Sequence, residues 1–276
     1  KAYALGFTLP VATQGMRFIC RPSVMHQSGA PLLDHPLSSR FDESDCMVVF
    51  DDVLVPWERV FCYRDVVVHN TVYASTGTRL AIQQQTATRD LAKAEFMMGL
   101  AFTVARTTKV DEFLHIQGLL CDLINDVEVL RACLIAAEEQ ATTMPHGLTV
   151  PGGGPLTAIR FLFPQMYRRA CEAIQVIGAG GLVMVPSYAE FAGPAAADVE
   201  TYAQAQGADA RARTKLFRLA FDATLSTFSG RQQLYERYFA GDPVRTAQAV
   251  YHGYAKEPHV ERIWKLLERF ESEAEG

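Results

Sequence analysis

The sequence has 276 residues, of which 49% are hydrophobic and 21% are charged, and this composition excludes an intrinsically disordered chain. Its formal net charge of -5 argues against a nucleic-acid-binding protein, because such proteins concentrate positive charge. The chain contains no apolar run of about eighteen residues, so no membrane-spanning helix is expected.

The first part of the chain has the two-residue hydrophobic period of β-structure. It opens on an alternating apolar run over residues 1–10, which indicates a strand already under way, so we expect a further segment of the same domain upstream. Three more short apolar runs predict strands: residues 16–20, 46–50 and 53–55, the last ending at Pro56. We therefore assign residues 1–68 to the C-terminal part of a β-domain.

A polar segment at residues 35–45 separates two of these strands. It is rich in Ser, Asp and Pro, and taken alone it predicts a solvated loop. Within it, Arg40 is close in sequence to Asp42 and Glu43, so a local ion-pair network is the other interpretation, although such pairs stabilise little when they are exposed.

After Val68 the hydrophobic period changes to about 3.6, which predicts helices. Apolar stripes predict four long helices: residues 87–105, 113–137 with Asp111 as N-cap, 159–177, and one from about 211 that Gly230 interrupts or ends. A final amphipathic segment covers residues 258–270. Long helices separated by breakers argue for an antiparallel four-helix bundle, so residues 69–276 form the helical domain of an α+β protein.

Two glycine-containing patches late in the chain are candidates for a site. Residues 178–181, Gly-Ala-Gly-Gly, predict a helix C-cap with a turn, but glycines also let backbone N–H groups approach a phosphate or a planar ring. Residues 226–232 combine hydroxyls, a glycine, an arginine and an amide within a helical region, which suggests either a site or a kinked helix. Arg231 has the forked shape that matches the oxygens of a pyrophosphate.

The cysteines and histidines give no sign of a metal site, since none has the spacing of a ligand pair. The six cysteines fall at apolar positions, and we interpret them as small buried hydrophobic residues: Cys20, Cys46, Cys62, Cys121, Cys133 and Cys171. A reducing, cytoplasmic location fits that interpretation.

Several segments together resemble the 4-hydroxyphenylacetate 3-hydroxylase family, large oxygenase component. They occur in order along nearly the whole chain: FICRPS at 18–23, HPLSSRFDESD at 35–45, VFDDVLVPWERVF at 49–61, IGAGGL at 177–182 and FSGRQQLYER at 228–237. The resemblance implies an acyl-CoA-dehydrogenase-like fold, in which the end of a β-barrel precedes the four-helix bundle and bundles pair into a homotetramer.

The resemblance also implies an activity. Enzymes of this family take FADH2 from a separate flavin reductase, react it with O2 to form a C4a-hydroperoxyflavin, and hydroxylate a phenol ortho to its hydroxyl group. The family's residues that hold the phenol lie in its N-terminal half, so we expect no catalytic residue in this chain and no activity from it alone. The resemblance leaves open whether the phenol is a small molecule or a carrier-tethered tyrosine derivative.

Three places carry the resemblance to the level of single residues. Ala12 and Thr13 match a substrate-contacting turn, where Thr13 would supply a hydroxyl group and Ala12 stands where Ser is common. Two further segments match parts of the family that face FAD, and their candidate cofactor-binding residues are Gln175, Gly178, Gly180, Gly181, Ser226, Thr227, Phe228, Gly230, Arg231 and Gln232.

Other functions on the same fold remain as alternatives. A 4-hydroxybutyryl-CoA dehydratase would carry an iron–sulfur cluster held partly by a His and a Cys seven residues apart; His69 is present here, but the residue seven positions later is Thr76, which is no cluster ligand. An acyl-CoA dehydrogenase would hold oxidised FAD as purified. The third alternative is a non-catalytic module whose bundle only forms oligomers.

Overall fold

The computed structural model describes residues 3–24 and 31–274. The chain divides into two compact units, Lys1–Glu236 and Arg237–Gly276. The first two residues of the strand predicted over residues 1–10 lie outside the described part, and within that range the strand covers Leu5–Phe7.

The β-structure of the first unit consists of short antiparallel pairs. The strands are β1 (Leu5–Phe7), β2 (Met16–Cys20), β3 (Cys46–Phe50), β4 (Val60–Tyr63), β5 (Thr142–Thr143) and β6 (Thr149–Val150). β1 pairs with β4, β2 with β3, and β5 with β6. The strands predicted at 16–20 and 46–50 are confirmed.

The strand predicted at residues 53–55 is wrong, because that run belongs to none of the strand pairs found in residues 3–24 and 31–274, and it continues into Pro56, which has no N–H to donate. A helical turn at Trp57–Arg59 follows, and the strand that pairs with β1 begins only at Val60. Alternation of apolar residues marked this segment as extended but did not show which part of it pairs.

The described chain contains these helices: α1 (Ser38–Phe41), α2 (Val66–Ser75), α3 (Thr78–Thr108), α4 (Leu114–Glu139), α5 (Gly153–Val183), α6 (Ala196–Tyr202), α7 (Ala210–Thr224), α8 (Thr227–Tyr238), α9 (Pro243–Gly253) and α10 (Glu257–Ala274). The four predicted long helices correspond to α3, α4, α5 and α7. The sequence analysis did not predict α1, α2, α6, α9 or the β5–β6 hairpin; each of these helices has at most 11 residues, too few to show a clear hydrophobic period.

The core of the first unit lies where α3, α4 and α5 pack against one another, with α7 against α3 and α5. Its largest fully buried side chains include Met97, Leu130, Phe163, Ile174 and Phe217, and each comes from the apolar stripe of its helix. Burial of one such side chain contributes about 2 kcal/mol, so this shared core determines how the helices are placed.

Two predicted helix boundaries are wrong. Asp111 is not the N-cap of α4, since Phe113 holds that position without any side-chain cap. Gly230 lies inside α8, and the break falls earlier, where α7 ends and the Ser226 hydroxyl accepts the Ser229 N–H at 3.2 Å. A Ser side chain at this position caps the new helix, which explains part of the polar character of residues 226–232.

The second unit contains α9 and α10. Asp242 caps α9 by accepting the Arg245 N–H at 2.9 Å, and Pro243 occupies its first turn, where a missing N–H costs nothing. The amphipathic segment predicted at residues 258–270 is confirmed as α10. Among the described residues, no helix has the length and apolarity needed to traverse a bilayer.

The interpretation of the six cysteines as buried residues is correct for Cys171 only. Cys20, Cys46 and Cys121 are exposed, and the remaining two are partly buried. Cys20 and Cys46 lie in the β2–β3 pair, whose described residues include no buried side chain, so apolar alternation there does not imply a covered face.

Candidate functional site

A cluster of five charged side chains, which we call the Arg231 cluster, joins α8 to the polar segment at residues 35–45. Arg231 donates to Asp45 through Nε at 2.7 Å and through Nη2 at 2.9 Å, and its Nη2 lies 2.9 Å from Glu43. Arg21, next to β2, donates to Asp42 at 2.6 Å and to Asp45 at 2.9 Å. These contacts hold α8, β2 and the polar segment in one arrangement.

The hydrogen bonds of the Arg231 cluster favour the charged forms of Arg21, Asp42, Asp45 and Arg231. Hydrogen bonds from Arg231 and Arg21 hold the pKa of Asp45 well below its usual range. Burial opposes ionisation of Asp42, but hydrogen bonds from Arg21, Ser23 and the Val24 N–H outweigh it and lower the pKa of Asp42 to about 2. Hydrogen bonding to Asp45 raises the pKa of Arg231 further above its already high value.

Two expectations for the polar segment are wrong. Arg40 donates to the Pro36 carbonyl at 2.8 Å, and the arginines that pair with Asp42 and Glu43 come from elsewhere in the chain. The segment is also not simply solvated, since the buried carboxylate of Asp222 on α7 accepts the N–H groups of Leu37 and Ser38, both at 2.8 Å. Contacts between residues so far apart in sequence had no signal in the local pattern.

A second charged cluster, the Glu236 cluster, is buried between α3 and α8. Glu236 is 3% exposed; its carboxylate lies 2.8 Å from Arg89 Nη2 and also pairs with Lys93. Arg89 further pairs with the neighbouring Asp90 at 2.7 Å, and Lys93 donates to Gln232 Oε1 at 3.3 Å. Two cations and two carboxylates therefore balance, as the burial of charges requires.

Burial perturbs several groups near the Glu236 cluster. It raises the pKa of Asp90 to about 6, although Arg89 acts in the opposite direction. On the adjacent face of α5, burial raises the pKa of the Cys171 thiol to about 12 and also raises the pKa of Tyr167, whose ring lies beneath Lys93 Nζ at 5.4 Å. Sequence inspection missed this cluster, because charged residues are ordinary on a helix and the local pattern did not show that the three on α3 and the one on α8 are brought together.

The glycine patch at residues 178–181 interrupts α5. Ala179 has φ 42° and ψ -138°, a backbone conformation that residues other than glycine rarely adopt. Backbone strain of this kind is common at ligand sites. A Cβ on Gly181 would lie 2.8 Å from the Phe217 ring, and one on Gly178 would meet Leu182 at 2.5 Å. A Cβ on Gly180 would meet no atom within 4 Å, so the chain has open space there.

A small hydrogen-bond network brings the two late patches together. Gln175 Nε2 donates to the Thr224 carbonyl at 2.8 Å, and Gln233 Nε2 donates to the same carbonyl at 3.4 Å and to Ser229 Oγ at 3.1 Å. The end of α7 thus links α5 to the start of α8. Of the residues predicted in the second patch, Phe228 and Gln232 are buried, whereas Thr227 and Gly230 are exposed.

The predicted substrate turn contains Ala12 and Thr13, and Thr13 bonds to the nearby Pro10 through both its backbone and its side chain. The Thr13 hydroxyl donates to the Pro10 carbonyl at 2.7 Å, and Ala12 is exposed. Gly15, which follows, has φ +86°, and a Cβ there would lie 2.4 Å from the Asp51 carbonyl oxygen, so the turn requires glycine.

In the part of the chain that the structure describes, no group of three or more His, Cys, Asp or Glu side chains is arranged to hold a metal ion.

Family models match both parts of the chain. The model described as 4-hydroxyphenylacetate 3-hydroxylase N terminal matches residues 1–62, and the one described as 4-hydroxyphenylacetate 3-hydroxylase C terminal matches residues 69–268. Among curated proteins, the 4-hydroxyphenylacetate 3-monooxygenase oxygenase component of Thermus thermophilus is 44% identical over 265 residues, which is 96% of this chain and 55% of that protein. The chain therefore spans about half the length of the curated relatives it matches.

Solved structures agree with this match. The crystal structure of an oxygenase component, HpaB, of 4-hydroxyphenylacetate 3-monooxygenase, complexed with FAD and 4-hydroxyphenylacetate, superimposes with a TM-score of 0.93 at 43% identity, over 98% of this chain and 56% of that one. An archaeal 4-hydroxybutyryl-CoA dehydratase from N. maritimus superimposes with a TM-score of 0.75 at 20% identity, over 90% of this chain and 50% of that one, and shows the shared acyl-CoA-dehydrogenase-like fold alone. Because both family models match in chain order, this chain belongs to the 4-hydroxyphenylacetate 3-hydroxylase family.

Proposed function

We propose that this chain is the flavin-facing part of the oxygenase component of a two-component monooxygenase, which uses FADH2 and O2 to hydroxylate a phenolic substrate ortho to its hydroxyl group. The observation that carries the proposal is the likeness, at 43% identity over 98% of the chain, to an oxygenase component solved with FAD and 4-hydroxyphenylacetate. When bound, the reduced flavin supplies the activation of O2; the protein positions the ring and excludes water.

The candidate cofactor residues fit an FAD, judged by the atoms they leave available. They are Gln175, Gly178, Gly180, Gly181, Ser226, Thr227, Phe228, Gly230, Arg231 and Gln232. The space beside Gly180 and Gly230 admits a ligand close to the backbone, and the Thr227 hydroxyl belongs to an exposed residue. Arg231 Nη1 has no hydrogen-bond partner among the described residues, which leaves one donor for a phosphate oxygen, but the atom is buried, so this contact requires a neighbouring side chain to move aside.

The charges around Arg231 define what this residue does in the proposed site. Its cluster contains two guanidinium groups and three carboxylates, so it carries no positive excess to attract a dinucleotide from a distance. Asp45 and Glu43 instead orient the guanidinium group, and Nη1 makes the contact. The Glu236 cluster supports the same helix, because Lys93 on α3 donates to Gln232, the residue after Arg231, and also pairs with Glu236 about one turn later.

For the substrate, we propose that the turn of Ala12 and Thr13 contributes the Thr13 hydroxyl. The Thr13 hydroxyl donates a hydrogen bond to the Pro10 carbonyl oxygen, so the Thr13 oxygen can still accept a hydrogen bond from a phenol. A free phenolic acid and a carrier-tethered tyrosine derivative both present such a hydroxyl group. The catalytic side chains belong, on this proposal, to the N-terminal region that relatives have and this chain does not match.

The remaining features of the proposal follow from the family. We propose a division at residues 68 and 69, between the end of a β-barrel and an antiparallel four-helix bundle. The short pairs β1–β4 and β2–β3 and the packing of α3, α4, α5 and α7 support that division. A homotetramer, a flavin reductase as partner and a cytoplasmic location complete the proposal.

Binding of reduced FAD tests the cofactor site directly. The chain is titrated with FADH2 under anaerobic conditions and the heat of binding is measured. We expect Gly180→Leu to weaken binding at least about ten-fold, because its side chain enters the open space, whereas Gly99→Leu, at an exposed position of α3, leaves affinity within about two-fold. Equal affinities for both variants would place the flavin elsewhere.

Two substitutions separate a direct contact of Arg231 from its structural role. Arg231→Ala should weaken FADH2 binding, while Asp45→Asn, which loosens the cluster but keeps Nη1, should weaken it less. If Arg231→Ala leaves affinity unchanged, the alternative of an oligomerisation module gains ground.

Activity is tested with the chain joined to the N-terminal segment of a family member. Oxygen consumption with FADH2 and a phenol should yield a stoichiometric amount of hydroxylated product; oxygen consumption that yields only hydrogen peroxide would count against a hydroxylase. A UV–visible spectrum that shows tightly held oxidised FAD would favour an acyl-CoA dehydrogenase, and bound iron would favour a dehydratase.

A further inference from the structure

Cys20 and Cys46 are directly opposite each other in the β2–β3 pair. Along this antiparallel ladder Met16 pairs with Phe50, and each following pair steps by one residue until Cys20 meets Cys46 at its last position. Both thiols are free and both residues are exposed. Side chains of directly opposed residues lie on the same face of a sheet, so the two sulfur atoms share one side of the ribbon.

The hydrogen bonds of the ladder show which kind of pair this is. The Arg21 N–H donates to the Asp45 carbonyl at 3.1 Å, and the Asp51 N–H donates to the Gly15 carbonyl at 2.9 Å. Because hydrogen-bonded and non-hydrogen-bonded pairs alternate, Cys20 and Cys46 form a non-hydrogen-bonded pair, whose Cα atoms lie about 4.5 Å apart. That separation is within the range of about 4.4–6.8 Å that a disulfide spans.

The pair adjoins the Arg231 cluster. Arg21 follows Cys20 and Asp45 precedes Cys46, so the residues that hold Arg231 are the immediate neighbours of the two thiols. A covalent bond between Cys20 and Cys46 would keep the ends of β2 and β3 together at the point where Asp45 reaches α8. No other two cysteines are partners in a described strand pair, since Cys62 faces Gly6.

We propose that Cys20 and Cys46 are a dithiol–disulfide pair, oxidised by hydrogen peroxide, that locks the strand ends supporting Arg231. One thiolate attacks a peroxide oxygen, which breaks the O–O bond and gives a sulfenic acid and one water. The second thiol attacks that sulfur, the S–S bond forms, and the hydroxyl leaves as a second water. Two thiols are oxidised and one peroxide is reduced, so the step balances.

Mass spectrometry of the whole chain tests the covalent step, and it does not depend on the proposed flavin chemistry because the peroxide is added. Trypsin cuts after Arg17, Arg40 and Arg59 but not at the Arg21–Pro22 bond, so the two thiols fall in separate peptides, 18–40 and 41–59. After one equivalent of hydrogen peroxide and alkylation of the remaining thiols, we expect these peptides joined, with the loss of two hydrogen atoms, and separated again by dithiothreitol.

Matched variants identify the pair. Cys46→Ser should abolish the joined peptide and leave Cys20 open to alkylation or further oxidation, whereas Cys121→Ser, which removes an exposed cysteine on α4, should leave it unchanged. Circular dichroism checks that each variant is folded. Joined peptides that occur only between two chains, or equal oxidation of Cys121 with no joined peptide, would overturn the proposal.

Hydrogen exchange tests the locking. The Arg21 N–H should exchange at least about ten-fold more slowly in the oxidised chain than in the reduced chain, while amides in the middle of α4 remain unchanged. An unchanged rate at Arg21 would show that the disulfide does not hold the strand ends, and this part of the proposal would fail.

Discussion

The carboxylate of Glu236 holds two cations inside the protein, and its neutralisation is expected to be costly. Glu236→Gln keeps the shape of the side chain but removes the carboxylate that pairs with both Arg89 and Lys93. Asp90 then remains the carboxylate beside Arg89 at 2.7 Å, and Lys93 keeps the neutral Gln232 Oε1 at 3.3 Å. Removing one partner of a buried ion pair costs about 3–5 kcal/mol, and we expect the lower end, about 3 kcal/mol, because the amide oxygen still accepts one hydrogen bond. For a domain of this size that corresponds to a fall in melting temperature of about 6–12 °C.

The matched control is Glu95→Gln. Glu95 pairs with Arg131 at 2.7 Å, but both side chains are more than two-fifths exposed, so the same chemical change should have little or no effect. Urea unfolding of the three proteins at pH 7.5, followed by circular dichroism, measures the difference. If Glu236→Gln is no more destabilising than Glu95→Gln, then burial does not determine the strength of this cluster and our reasoning is wrong.

Three further predictions concern pH and backbone strain. The folded-state pKa of Asp90 is raised to about 6, so the contribution of Asp90 to stability is largest at low pH and is lost as the pH rises from about 4 to 6. The difference in unfolding free energy between the native chain and Asp90→Asn should therefore change by about 3 kcal/mol over that window. A difference that stays constant with pH would contradict the raised pKa. Ala179→Gly should stabilise the chain by about 1 kcal/mol, because glycine adopts this backbone conformation without strain, whereas Ala132→Gly in the regular helix α4 should destabilise the chain by a similar amount. If urea unfolding shows that both substitutions change the unfolding free energy in the same direction, this explanation is refuted. Gly15→Ala should destabilise by about 2 kcal/mol or more, because its Cβ would meet a carbonyl oxygen at 2.4 Å, and an unchanged unfolding midpoint would show that the turn can relax.

The Arg231 cluster and the Glu236 cluster both hold α8 in place. Arg231 connects α8 to the strands, and Glu236 connects it to α3. Gln232 lies between them and is itself held by Lys93. The segment proposed to face the flavin is therefore fixed from two sides, which suits a site that must position a cofactor made available by another protein.

The amino-acid sequence by itself determined the long helices and the family. Stripes of apolar residues predicted α3, α4, α5 and α7, because a helix that buries one face must repeat its apolar residues every three or four positions. The same holds for β2 and β3, where alternation identified the strands. The motifs at residues 35–45 and 228–237 identified the family, since they are long and occur in order.

Only the tertiary structure decided which polar groups meet. Asp45 and Arg231 are separated by 186 residues, and Glu236 and Arg89 by 147, so no local pattern relates them. Ion pairs depend on distances of a few ångströms, and these exist only after the helices have packed. For the same reason Arg40 was a false partner and the opposed thiols of Cys20 and Cys46 remained hidden, because strand register is a property of two segments and not of either one alone.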